Sequence, residues 1–200
     1  MFRNARFISG LLITVGMLVG LSASAQTPAA APAATGFTAE FLKELDDLEK
    51  KTVSLAEAIP QEKYGWRPGE GVRSVGQVYA LVTAANYAFT RNLGVKVPAG
   101  LDLRNIEKLT DKATIVAALK QSFVDVRAGI NALPANDLDR TVKLFGNDSS
   151  VRNVLFVIAT HTSEHLGQSI AYARSAGVVP QWTAERQAPA PPKPAEPAKK

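Results

Sequence analysis

The chain has 200 residues, of which 46% are hydrophobic and 20% charged; this composition is typical of a globular domain and excludes disorder throughout. It contains no cysteine, which excludes a disulfide framework, a thiolate zinc site, a catalytic cysteine and a lipid-anchored cysteine. The net charge of +5 comes from the two ends, because residues 26–182 hold 17 basic and 16 acidic side chains, a balance that argues against a nucleic-acid partner.

The first 25 residues have the pattern of a cleavable secretory signal peptide. Arg3 and Arg6 precede the apolar stretch 7–21, and Ala23-Ser24-Ala25 closes the segment. This apolar stretch is shorter than the roughly 18–20 residues that span a bilayer. We therefore predict cleavage after residue 25, a mature chain without a transmembrane segment, and a periplasmic or secreted location.

Two segments rich in proline and alanine flank the predicted domain at 37–182. Residues 26–36 form a Pro/Ala linker, and residues 183–200 form a Pro/Ala/Lys tail. Both segments contain too few large apolar side chains to offset the entropy lost on ordering, so we predict that they are disordered.

Apolar residues recur every three or four positions in four segments, which predicts four amphipathic helices. The first helix begins with Thr38 as its N-cap and ends before Pro60. Ser74 caps the second helix in a capping box with Gln77, and Gly94 ends it. The predicted inner faces of these helices are Phe41, Leu45, Leu48, Thr52, Leu55 and Ile59, and then Val75, Val78, Val82, Ala85 and Phe89.

The third and fourth helices follow the same spacing. The third runs from about Thr110 to Pro134, and the fourth from Ser150 to Ala176 with Gly177 as its C-terminal cap. The inner face of the third helix is Ile115, Leu119, Phe123, Val126, Ile130 and Leu133. No segment has a convincing strand pattern, so the sequence predicts an all-α four-helix bundle.

The only two histidines lie one turn apart on the fourth helix. At 100° per residue they share one face with Val154, Ile158, Gln168 and Tyr172, which points both imidazoles into the bundle. The spacing of His161 and His165 lets two imidazoles reach one metal ion. Two core histidines bonded to Tyr, Gln or backbone would show the same pattern, and both interpretations stay open.

Two blocks of the sequence resemble the DinB-like (DinB/YfiT) superfamily. The run from His161 to Pro180 resembles the last helix of that family, and the run from Ile59 to Val78 is similar to its first loop and the start of its second helix. This resemblance implies an up-down-down-up bundle in which one histidine of the second helix and two of the last hold a divalent metal, generally zinc or nickel. It supports His161 and His165 as metal ligands.

The sequence departs from the family pattern at the third ligand. The position expected for the second-helix histidine holds Leu81, which cannot bind a metal. Substitutes for this ligand would have to come from Glu164, Glu44, or the weaker oxygen donors Asn86 and Tyr87. The expected site is therefore a degenerate two-histidine site.

Two hypotheses for the function follow. In the first, the protein is a metal-dependent enzyme that resembles family members acting with a low-molecular-weight thiol; Glu164 then orients a ligand or moves a proton, and Gln168 or Tyr172 contacts the substrate. In the second, the bundle has lost its metal and serves as an envelope protein that binds a small molecule or responds to stress. A second copy of the chain is a further partner to test.

His161, Glu164 and His165 also match the H-x-x-E-H pattern of inverted zinc proteases. That family requires another carboxylate ligand in a folded segment downstream. The only acidic residues after His165 are Glu185 and Glu196, in or beside the tail, so this hypothesis is disfavoured.

Overall fold

The structure is a computed structural model that describes residues 35–134 and 136–188. The predicted signal peptide at 1–25, nearly all of the predicted linker and residues 189–200 of the predicted tail lie outside the described residues. Within the described ranges, no helix has both the length and the hydropathy that crossing a bilayer requires.

Four long helices make up the body of the domain, as predicted. They are α1 (Gly36–Ala58), α2 (Val75–Thr90), α3 (Lys112–Asn131) and α4 (Val151–Ser175). A fifth, short helix, α5 (Gln181–Gln187), crosses the predicted boundary between domain and tail, so the first residues of the predicted tail are helical. Trp182 of α5 packs against the core, which explains why this segment is ordered together with the bundle.

The predicted inner faces form the core. Every residue predicted for α1 and α2 is buried, and the α3 face is buried from Ile115 to Ile130, with Leu133 only partly covered. Four apolar stripes that are individually too weak to hold a helix in water bury one another, which stabilises all four helices.

Ion pairs show that α1 and α3 run in opposite directions. Glu57, near the end of α1, pairs with Lys120 in the first half of α3 at 2.5 Å. Asp46, earlier in α1, pairs with Arg127, later in α3, at 2.5 Å. The order of the partners is reversed along the two helices, so they are antiparallel.

The same reasoning sets the directions of the other two helices. Gly76 at the start of α2 lies against Ile115 at the start of α3, and Asn86 further along α2 donates to Ser122 Oγ at 3.0 Å, so α2 and α3 are parallel. The guanidinium of Arg152, at the start of α4, lies 5.2 Å from the ring centroid of Phe37, at the start of α1. The two helices therefore begin at the same end of the bundle and are parallel. The bundle is up-down-down-up, as the family resemblance implies.

Local capping agrees with the prediction for α2 and differs for α1. Ser74 Oγ accepts from the backbone N–H of Gln77, whose side chain in turn accepts from the backbone N–H of Ser74. The N-cap predicted at Thr38 is wrong, because α1 begins at Gly36 and Thr38 lies inside its first turn. The prediction followed the preference of N-caps for a hydroxyl side chain, whereas the helix begins two residues earlier, at Gly36.

The start of α3 is capped from two directions. The carboxylate of Asp111 accepts from the backbone N–H and the hydroxyl of Thr114, at 2.7 and 2.6 Å. Gln61, in the connection between α1 and α2, accepts from the backbone N–H of Lys112 at 2.6 Å and donates to the carbonyl of Thr110 at 3.0 Å. The side chain of Gln61, from a distant connection, thus bonds both a backbone carbonyl and a backbone N–H where α3 begins.

The connection from α3 to α4 contains a β-hairpin, which the sequence analysis did not predict. Strand β1 (Thr141–Leu144) pairs with strand β2 (Asn147–Ser150) in an antiparallel register that sets Leu144 opposite Asn147. Val142 and Leu144 are buried, while the strand residues beside them are exposed. The hairpin therefore contributes one apolar face to the core, although the strands are too short to show a convincing period of two.

Candidate functional site

The two histidines lie at the edge of the core rather than inside it. Both rings are half-buried, whereas Thr162 and Leu166, each one position further along α4, are buried. In this part of α4, the residues that face the core are therefore each one position C-terminal to the predicted ones. This shift leaves each imidazole with one side against the bundle and one side open to solvent.

The imidazole rings of His161 and His165 are close neighbours. Their centroids are 4.5 Å apart and their planes are inclined by 70°. Two imidazoles bound to one zinc ion through bonds of about 2.0–2.1 Å have centroids roughly 5 Å apart. The pair can serve as two ligands of one ion after a small side-chain adjustment.

A chain of polar contacts orients His165. Its Nδ1 lies 2.8 Å from Oε1 of Gln168, and Nε2 of Gln168 donates to the hydroxyl of Tyr172 at 2.9 Å. The ring of Tyr172 meets Trp66 edge to face, with centroids 5.4 Å apart. Of the predicted site residues, Gln168 thus contacts His165, and Tyr172 contacts Gln168, which extends the histidine pair into one row along α4.

The orientation of the Gln168 amide determines the tautomer of neutral His165. With Oε1 facing the ring, Nδ1 carries the proton and donates it to Gln168. The lone pair is then on Nε2, the atom that remains for a metal or another donor. Metal-ligating histidines commonly have such an oxygen acceptor behind them, because it fixes the ring and increases its basicity.

His161 lies in a more apolar setting. Its ring meets the ring of Phe89, from α2, edge to face at a centroid distance of 5.2 Å. Burial lowers the pKa of His161, the nearby His165 lowers it further, and Glu164 acts in the opposite direction. The neutral imidazole, which is the form that binds metals, is therefore favoured at neutral pH.

Leu81 is half-buried on α2, the helix from which Phe89 contacts His161. Phe89 lies eight positions further along α2, about 80° around the helix from Leu81 at 100° per residue. Because α2 and α4 are antiparallel, Leu81 comes level with a part of α4 that lies C-terminal to His161.

The substitutes considered for the third ligand lie elsewhere or have other partners. Asn86 is buried against Ser122 on α3, and the hydroxyl of Tyr87 donates to Asp125 at 2.7 Å. Both donors therefore point to α3 instead of α4. Glu44 and Glu164 are exposed. Across residues 35–134 and 136–188, no group of three His, Asp or Glu is arranged to hold a metal.

The histidine pair therefore meets part of what a metal requires. The donor chemistry, the ring spacing and the acceptor behind His165 suit two ligands of one divalent ion. Leu81 has no donor atom in its side chain and cannot supply the third ligand. Positions left open on the ion would be taken by water or by an external ligand.

Two aromatic residues at this site were not recognised as site residues from the sequence. Phe89 was assigned to the core, and it is indeed buried, but its ring also contacts His161. Phe145, in the turn of the hairpin, contacts Phe89 edge to face at 5.7 Å. The two-residue run Phe145-Gly146 was the available signal, because a glycine in a short polar stretch is typical of a hairpin turn.

A separate groove of about 630 Å³ lies between the end of α1 and the start of α3 and contains none of the predicted site residues. Its polar groups are paired with one another: Lys120 bonds to the carboxylate of Glu57, and the amine of Lys112 donates to the carbonyl of Glu57 at 2.7 Å. Groups satisfied in this way are less available to a ligand, so we place the candidate site at the histidines.

Comparison with known proteins identifies the family. The DinB superfamily matches residues 44–169 of the sequence. The fold is similar to that of a DinB-like protein from Bacillus cereus, at 18% identity and a TM-score of 0.63, over 70% of this chain and 93% of that chain. A DinB-like protein from Bacillus subtilis aligns at 19% identity and a TM-score of 0.57, over the same shares of the two chains.

No curated protein matches the sequence. The solved structures share the fold, and the family match covers more than half of the chain, including both histidines. The predicted family and the predicted helical bundle are therefore confirmed. The chain belongs to the DinB superfamily.

Proposed function

We propose that the protein is an exported member of the DinB superfamily that binds a divalent metal, zinc or nickel, through His161 and His165. The observation that carries this proposal is the pair of imidazoles with centroids 4.5 Å apart, one of which is fixed by Gln168 so that its Nε2 is free. Export is supported by the signal-peptide pattern of residues 1–25.

Each residue of the site would have a separate role in this function. His161 and His165 hold the ion, while Gln168 and Tyr172 keep the ring of His165 in place. With two protein ligands, affinity is modest and the remaining positions accept a small molecule or water. A divalent ion bound there would supply Lewis-acid chemistry to that molecule. Glu164 is exposed on the same helix and remains the candidate for proton transfer.

Calorimetric titration with Ni²⁺ and Zn²⁺ tests this proposal on the mature chain purified without chelator. We expect one ion per chain for the wild type and loss of binding in His161→Ala and in His165→Ala. Ser163→Ala is the matched control, because Ser163 is exposed on α4 about 200° around the helix from both histidines. Equal affinity in the wild type and both alanine variants would refute the two-histidine site.

A second function, binding of a small molecule without a metal, is favoured by Leu81. The family resemblance implies a ligand at this position, and leucine there is apolar and offers no donor. In this case His161 and His165 act as a hydrogen-bonding pair. The double alanine variant would then lower the melting temperature in metal-free buffer, and added Ni²⁺ would not change the melting temperature of the wild type.

A further inference from the structure

Phe145 occupies a position that the fold alone does not favour for phenylalanine. It is the first residue of the two-residue turn between β1 and β2, and its φ of 52° is left-handed, like the 83° of Gly146. Turns with two positive φ angles prefer Asn-Gly, because a larger side chain is strained there. The ring of Phe145 is 72% exposed, so burial offsets little of this strain.

The position of the turn is nevertheless well defined. Val142 and Leu144 anchor β1 in the core, and the side chain of Asn92, just after α2, donates to the backbone carbonyl of Lys143. These contacts hold the turn beside the C-terminal end of α2. The exposed ring is therefore presented at a fixed place on the surface.

That place is separated from the histidine pair by the ring of Phe89. The ring of Phe145 contacts Phe89 at 5.7 Å, Phe89 contacts His161 at 5.2 Å, and His161 contacts His165 at 4.5 Å. Each contact is inclined by 70–85°, so the rings form a continuous row that passes from an exposed apolar end to a polar end. A ligand lying along this row would meet both kinds of surface.

We infer that Phe145 is a specificity-determining residue of the histidine site, which takes a small organic molecule with an aromatic group beside a polar head. The head would reach His161 and His165, and the aromatic group would lie against Phe145. The inference rests on the proposed function for the location of the site and does not require that a metal is bound. A single aromatic contact of this kind gives about a 2- to 10-fold preference in affinity.

The size of the apolar surface favours a small molecule over a protein partner. A stable protein interface buries about 800 Å² on each side, whereas one aromatic side chain buries about 150–250 Å². Within residues 35–134 and 136–188, Phe156 is the other strongly exposed phenylalanine, at 59%, and it projects from α4 about 140° around the helix from His161. The two rings therefore do not combine into one large apolar face.

Two hydroxamates with the same head group test the inference. Binding of benzohydroxamate and acetohydroxamate is measured by NMR titration on the mature chain, with and without Ni²⁺, for wild type, Phe145→Asn and Phe156→Ala. We expect the wild type and Phe156→Ala to prefer benzohydroxamate by about 2- to 10-fold, and Phe145→Asn to lose this preference. Asparagine suits the turn, so Phe145→Asn should fold at least as well as the wild type.

Two results would overturn the inference: the same preference in the wild type and in Phe145→Asn, or no binding of either hydroxamate to the wild type in both buffers. Failure of the proposed metal function gives a different pattern. If Ni²⁺ does not bind but the aromatic preference persists in metal-free buffer and depends on Phe145, the inference stands and the metal proposal falls. If Ni²⁺ binds and no aromatic preference is found, the metal proposal stands and the inference about Phe145 falls.

Discussion

Replacing Leu81 with histidine should convert the histidine pair into a three-ligand site. The family resemblance implies a metal ligand at position 81 of α2, and Phe89 on the same helix contacts His161 with ring centroids 5.2 Å apart. A third imidazole at position 81 would complete the ligand number common in zinc sites with one open position. We expect the affinity for Zn²⁺ or Ni²⁺ to rise by about 100-fold, which is about 2.7 kcal/mol.

The effect can be read as thermal stability. At a metal concentration 100 times the dissociation constant, binding stabilises the folded chain by about 2.7 kcal/mol. At about 2–4 °C for each kcal/mol, Leu81→His should gain roughly 5–10 °C in Tm on addition of metal. Without metal, loss of the half-buried leucine should cost the variant about 1 kcal/mol.

Leu81→Gln is the matched control, because it introduces a polar side chain of similar length without an imidazole. Differential scanning fluorimetry with and without Ni²⁺, followed by calorimetry, compares the two variants. If metal raises the Tm of Leu81→His no more than that of Leu81→Gln, the reasoning is refuted, and position 81 does not face the histidines as the family resemblance implies.

Three further predictions concern the bundle itself. Gly129→Ala should destabilise the fold by about 1–3 kcal/mol in urea unfolding, because its Cβ would lie 2.2 Å from Val95 Cγ2, and the added change Val95→Ala should restore most of the loss. Ser74→Ala should cost about 1 kcal/mol by the same measurement, since it removes the capping box of α2. The third prediction concerns Asp111, whose pKa is lowered by hydrogen bonds from the side chain and backbone of Thr114. A carboxyl group with a lowered pKa contributes stability that is present above the unfolded pKa, near 3.9, and is lost as the pH falls through the folded pKa. Asp111→Ala should therefore lower the free energy of unfolding at pH 7 and lower it much less at pH 2. An equal loss at both pH values would contradict this.

The helices could be predicted because their signals are local. The apolar spacing of α1 to α3 and the Ser74–Gln77 box depend on residues within one helix, and the structure confirms them, whereas on α4 the buried residues lie one position beside the predicted face at the histidines. The hairpin could not be predicted in the same way, because its four-residue strands owe their burial to the bundle beneath Val142 and Leu144. Strand formation here depends on tertiary packing, which a short sequence window does not contain.

The candidate site could be predicted in part for the same reason. His161, His165, Gln168 and Tyr172 lie on one helix, so their spacing alone brings them together. Phe145 lies in a different element and contacts Phe89, which in turn contacts His161, and only the fold shows these contacts. Whether the pair binds a metal stays a prediction, since it depends on affinity and not on which residues are neighbours.

The double capping of α3 has a consequence for how the domain opens. The backbone N–H of Lys112 donates to Gln61, a side chain 51 positions away, while the N–H of Thr114 is held by the local carboxylate of Asp111. Amide hydrogen exchange at these two positions therefore reports two different events. Exchange at Lys112 measures how often the connection between α1 and α2 lifts off the bundle, and exchange at Thr114 measures fraying of α3. Comparison of the two rates separates motion of one loop from unwinding of the helix that it caps.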